Sequence, residues 1–93
     1  MIKYVEKFIL FLKFELRLSD NTVQSYKNDL DKYIKYFSEN TKIHSLDLIS
    51  YDDIRKYIVF LTKQEYKPSS INRSISSIKK FHLYLLDNEI TVG

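Results

Sequence analysis

The chain has 93 residues, 44% hydrophobic and 29% charged, which is the make-up of one compact domain and excludes a disordered tail. A domain this size buries only about 60 to 65% of its unfolded surface, which leaves little room for a deep substrate cavity and argues against a self-contained enzyme. The net charge of +3 is modest, so its distribution matters more than its size.

A single glycine, Gly93, and a single proline, Pro68, leave the chain without the turn formers of a many-stranded β protein or of a phosphate-cradling loop. An all-α fold is the expectation. The absence of cysteine excludes disulfides and thiolate metal sites, and His44 and His82 are the only imidazoles, so neither a metal nor a cofactor is expected. The longest apolar run, Phe8 to Leu12, is far below the roughly 18 to 20 residues that span a bilayer. Lys3, Glu6 and Lys7 interrupt the start, which lacks the apolar core and cleavage site of a signal peptide. A cytoplasmic location with no membrane partner follows as an expectation.

In chain order, Ile2, Val5, Phe8, Ile9, Leu12 and Leu16 have the spacing of one helical face and predict a helix over 2–18. Ser19 is placed to cap a second helix over 20–38, with Asp20 adding negative charge to its first turn and Val23, Tyr26, Leu30, Ile34 and Phe37 as its stripe. The periodicity lapses over 39–49. Ser50 and Asp53 then form a capping-box pattern ahead of a third helix over 51–64, striped by Ile54, Tyr57, Ile58 and Leu61. After Tyr66, Lys67 and Pro68 a fourth helix is expected over 69–87, with Ile71, Ile75, Ile78, His82 and Leu85 facing inward. His82 reads as a packed core histidine. The chain contains no alanine, and bulky Tyr and Phe predict an irregular, orthogonal four-helix bundle in place of a coiled-coil-like one.

Residues 66–86 carry Lys67, Arg73, Lys79 and Lys80 and no acid, a local charge of +4, while residues 20–39 and 47–65 are each at −1. Projected at 100° per residue, the face of the fourth helix opposite its apolar stripe holds Ser69, Arg73, Ser76, Ser77 and Lys80, with Asn72 and Lys79 at its edge. A generic solvated helix mixes both signs, because Glu/Lys pairs at i,i+4 are stabilising. Arg73 and Asn72 have the donor and acceptor geometry that reads base edges, and Lys79 and Lys80 suit phosphates. The plainer alternative is a soluble face that happens to lack acids in a lysine-rich chain. The second helix adds Thr22, Gln24, Ser25 and Asn28, polar and near its N-terminus, where the helix dipole favours a phosphate.

Three runs resemble a known family. Leu18-Ser19-Asp20-Asn21-Thr22 followed by Tyr26 and Asp29-Leu30 is similar to the L-S-x-N-T-x-x-x-Y-x-x-D-L signature of the N-terminal core-binding (SAM-like) domain of Xer-type tyrosine recombinases and phage integrases. Asp53-Ile54-Arg55 with Tyr57 resembles its D-I-R-x-Y/F, and Ser70-Ile71-Asn72-Arg73 through Phe81, with Tyr84-Leu85, its T-I-N-R-x-L-S-A-L-R-x-F-x-x-Y-L. Departures are Ser77 for Ala, Ile75 and Ile78 for Leu, and Lys79 for Arg.

The resemblance implies a DNA-binding domain of a site-specific recombinase or integrase that grips double-stranded DNA through its second and fourth helices. It implies a separate C-terminal catalytic domain in the parent chain and further recombinase protomers as partners on DNA. Carried over by position, Thr22, Gln24 and Ser25 would face DNA from the second helix and Ser69, Arg73, Ser77 and Lys80 from the fourth; the charge map and projection add Asn28, Asn72, Ser76 and Lys79. The family's catalytic arginines and His-x-x-Arg motif have no counterpart: only Arg17, Arg55 and Arg73 are present, and neither histidine is followed at +3 by Arg. No catalytic residue is therefore assigned, and residues 1–93 are expected to form one non-catalytic DNA-binding domain. The competing reading is a helical protein-binding module that uses an exposed edge at Leu83 and Tyr84.

Overall fold

A computed structural model describes residues 1–88 and shows four α-helices: α1 (Ile2–Leu10), α2 (Asp20–Asn40), α3 (Tyr51–Lys63) and α4 (Pro68–Asp87). No strand occurs among the described residues, and the fold is the all-α four-helix bundle that the sequence pattern predicts, in keeping with the SAM-like domain that the resemblance implies. The helix starts have the chemistry foreseen. Ser19 is extended and its Oγ accepts the Thr22 N–H at 3.3 Å. At α3 the Ser50 Oγ accepts the Asp53 N–H at 3.2 Å while the Asp53 carboxylate accepts the Ser50 N–H at 2.9 Å, so two orphan donors are satisfied reciprocally. Pro68 opens α4, where its missing N–H costs no hydrogen bond.

The first helix departs from expectation. Its α-helical ladder ends at Leu10 and widens into a π-helical turn over Phe11–Glu15, closed by the Leu16 N–H on the Phe11 carbonyl. The wider turn shifts the phase of the stripe. Leu12 stays buried, Leu16 is turned out to 52% exposure, and Leu18 packs against the core instead. Arg17, at φ 52°, reverses the chain and lets the Leu18 N–H reach the Leu12 carbonyl.

The helices α1 and α4 both pack on α2, and α3 packs on α4. The core is closed by aromatics: Phe8 of α1 meets Phe81 of α4 at 5.5 Å between ring centroids, and Tyr33 of α2 meets Tyr57 of α3 at 5.4 Å. Each such buried ring contributes on the order of 1.5–3 kcal/mol. Leu46, in a short 3-10 turn between α2 and α3, pins that connection to the core.

The face that α4 buries is rotated from the one projected. Ser74, Ser77, Ile78, Phe81 and Leu85 are buried, whereas Ile71, Ile75 and His82 are only half-buried. The cause is on α2, which presents the carboxylate of Asp29 to α4, and small serines let the two backbones approach around it. The rotation leaves an apolar groove of about 880 Å³ between α3 and α4, lined by Tyr51, Ile54, Val59, Leu83 and Leu86 among others.

Candidate nucleic-acid interface

The α2–α4 seam carries the residues of interest. Asp29 is fully buried, and Arg73 holds it through two parallel hydrogen bonds of 3.0 Å, Nε to Oδ2 and Nη2 to Oδ1. Ser77 donates its hydroxyl to the same Oδ2 at 2.9 Å. A carboxylate taken out of water is tolerated only when its lone pairs are occupied, and three donors do this here. The bonds to Asp29 in turn hold the Arg73 guanidinium protonated above its ordinary range. Two helical turns beyond Arg73, Lys80 donates to the Tyr26 hydroxyl at 2.8 Å and its ammonium lies 5.5 Å from that ring's centroid.

Beside these links stand the polar residues at the start of α2. Thr22 is exposed, its hydroxyl accepting from Ser19, and Gln24 donates to the Asn28 side chain at 2.9 Å, making a paired amide surface. Ser25 is half-buried and returns its hydroxyl to the Asn21 carbonyl. On α4, Ser69, Asn72, Ser76 and Lys79 are exposed. The structure thus joins Arg73 and Lys80 to α2, while Lys79 lies on the other flank, lining the α3–α4 groove with Arg55.

Ser77 corrects the helical projection: it is 2% exposed and faces Asp29 instead of solvent. In the sequence pattern Asp29 and Tyr26 stand only as signature residues, Tyr26 also in the α2 stripe, with no site role attached. A signal was present, since Asp29 stands at i+3 from Tyr26 and i−4 from Tyr33 on the inward face of α2, where an acid requires a cation. His82 is the packed histidine expected, its Nε2 2.8 Å from the Tyr33 hydroxyl. Tyr84 packs its ring on Phe8 and Phe11, so the edge expected at Leu83 and Tyr84 is reduced to Leu83, which belongs to the α3–α4 groove. No described helix is long and apolar enough to cross a membrane.

The described residues form a small four-helix bundle with capped α2 and α3 and an Asp29–Arg73 lock between α2 and α4. Residues 5–89 match the family described as phage integrase, N-terminal SAM-like domain, and the chain belongs to that family. Among curated proteins it is similar to tyrosine recombinase XerD of Oceanobacillus iheyensis, 41% identical over 92 residues that make up 98% of this chain and 31% of the relative. It is likewise 40% identical to XerD of Vibrio cholerae over 87% of this chain and 26% of that protein. Tyrosine recombinase XerC of Halalkalibacterium halodurans is 33% identical over 90% of this chain and 27% of its own length. The chain therefore spans about a third or less of the relatives it matches. No solved structure gives a significant match.

Proposed function

We propose that residues 1–93 act as one DNA-binding domain of a site-specific tyrosine recombinase or integrase, gripping duplex DNA through α2 and α4 while strand cleavage belongs to a C-terminal catalytic domain of the parent chain. The observation that carries this is the seam itself: Arg73 and Lys80, from the acid-free stretch of α4, are each fastened to α2. That fastening makes one surface of the cations and the paired amides Gln24 and Asn28. On this reading Thr22, Ser25, Ser69, Asn72 and Ser76 supply close polar approach, Lys80 meets phosphates from the seam and Lys79 from the far flank of α4, and Ser77 supports Arg73 from beneath. Other recombinase protomers bind the same duplex.

The test is fluorescence anisotropy of a labelled 30-base-pair duplex of mixed sequence titrated with the chain at several salt concentrations. Two phosphate contacts, from Lys79 and Lys80, give a log K against log[salt] slope of about −2. Binding that is absent, or that does not respond to salt, overturns the proposal. The alternative, a protein-binding module without DNA contact, draws on the apolar α3–α4 groove. Val59→Asp separates the two, because it spoils that groove from α3 and leaves a DNA surface on the α2–α4 seam intact.

A further inference from the structure

Arg73 has two edges that can each make a pair of parallel hydrogen bonds. The side edge, Nε with Nη2, is closed by Asp29 at 3.0 Å for both bonds. The end edge, Nη1 with the second hydrogen of Nη2, is not used by Asp29, and the side chain is 51% exposed. The clamp cannot turn. Asp29 has no exposure, one of its oxygens also holds the Ser77 hydroxyl, and it sits in the middle of the rigid helix α2.

Two consequences follow for what Arg73 can do. Its positive charge is largely cancelled at contact distance by a carboxylate, so it is a poor electrostatic partner for a phosphate. Its remaining donors are held in a fixed direction, which a directional pair of acceptors needs and a phosphate does not. In duplex DNA the paired acceptors are O6 and N7 of guanine, exposed in the major groove. We infer that Asp29 is a positioning residue that fixes Arg73 so that its end edge reads one guanine. The inference rests on the proposed DNA binding and adds to it the residue that sets base preference and the base it selects.

The test compares the wild-type chain with Asp29→Asn and Arg73→Lys in two measurements. One is enrichment from a library of duplexes carrying 20 random base pairs; the other is the salt slope on a single mixed-sequence duplex. Wild type should enrich guanine at one position. Asp29→Asn should lose that preference by about tenfold, the discrimination of one bidentate contact. It should also keep or tighten its binding to the mixed-sequence duplex, with a slope steeper by up to about 0.9, because the Arg73 charge is no longer cancelled. A purely structural role for Asp29 would weaken both kinds of binding together, a result that overturns the inference. Arg73→Lys keeps the charge but not the paired donors, so it should flatten the same position without changing the slope. If Asp29→Asn does not fold, as read by circular dichroism, a guanine preference surviving in Arg73→Lys overturns the inference on its own. Salt-dependent wild-type binding with no guanine preference defeats only this inference, whereas absence of any salt-dependent binding defeats the DNA reading beneath it.

Discussion

Tyr33 of α2 and His82 of α4, 49 positions apart in sequence, meet with the phenol oxygen 2.8 Å from the imidazole Nε2 and the two rings edge to face. Burial disfavours the charged imidazole and lowers the His82 pKa from 6.5, so it is the neutral ring that shares this hydrogen bond with the Tyr33 hydroxyl. The link is one of the polar contacts that fix how α4 lies on α2.

A pH dependence of stability follows from it. Since the folded pKa lies below the unfolded value of 6.5, the unfolded chain takes up a proton first as pH falls. Stability from this group is complete above about pH 6.5, declines as pH drops through the window beneath it, and levels off below the folded pKa. Urea midpoints measured between pH 5 and 8 should fall on the acid side, and His82→Gln should flatten that part of the profile. An unchanged slope in the variant assigns the effect to another group.

The Asp29 cluster predicts a graded series. Ser77→Ala removes one of three donors to a buried carboxylate and should cost about 1.5–3 kcal/mol. Arg73→Ala removes the other two and should cost about 3 kcal/mol, at the low end for a broken buried pair because the arginine side chain is 51% exposed. Both substitutions act on one carboxylate, so the double variant should depart from the sum of the singles. Chemical denaturation of the three proteins measures this, and strict additivity would mean that Ser77 and Arg73 do not share Asp29 in solution.

The helix count, the caps at Ser19 and Ser50 and the break at Pro68 were legible because they depend on neighbours within four residues. What was not legible depends on partners far along the chain. A 100° projection centred on the apolar stripe at Ile71 places Ser77 outward, and only the partner Asp29, 48 positions earlier, shows that the buried face is centred elsewhere. The π-helical turn at Phe11–Glu15 escapes for a related reason: periodicity assumes one constant pitch, and Leu16 leaves the stripe when the pitch changes. Charge and composition did locate the basic segment, though not that Arg73 lies against an acid.

The end of α3 offers a stabilising substitution. Glu65 has φ 62°, and its N–H bonds the Thr62 carbonyl while the Tyr66 N–H bonds the Leu61 carbonyl, the paired bonds of a Schellman C-cap. This cap wants glycine, and the chain's only glycine is Gly93. An exposed L-residue in the left-handed region costs about 1–2 kcal/mol, of which glycine's larger unfolded entropy takes back a part. Glu65→Gly should therefore gain about 0.5–1 kcal/mol, seen as a rise of a few degrees in Tm. A fall in Tm would mean that the Glu65 side chain contributes an interaction larger than its backbone strain.

Lys80 and Arg73 sit on the same face of α4 yet differ in what surrounds their charges. Arg73 lies against a carboxylate, whereas Lys80 has only the neutral Tyr26 hydroxyl and ring as its described partners. An uncancelled ammonium held at the surface is the better phosphate contact, so Lys80→Ala should lower the magnitude of the salt slope by about 0.9 and weaken binding to all sequences alike. Tyr26→Phe keeps the charge and the ring but removes the acceptor. It should leave the slope unchanged and reduce affinity only a few fold, through looser placement of the ammonium. Anisotropy titrations over a range of salt, run beside library enrichment, separate these outcomes: a change in the enriched sequence on Lys80→Ala would make Lys80 a base reader and remove it from the phosphate contacts.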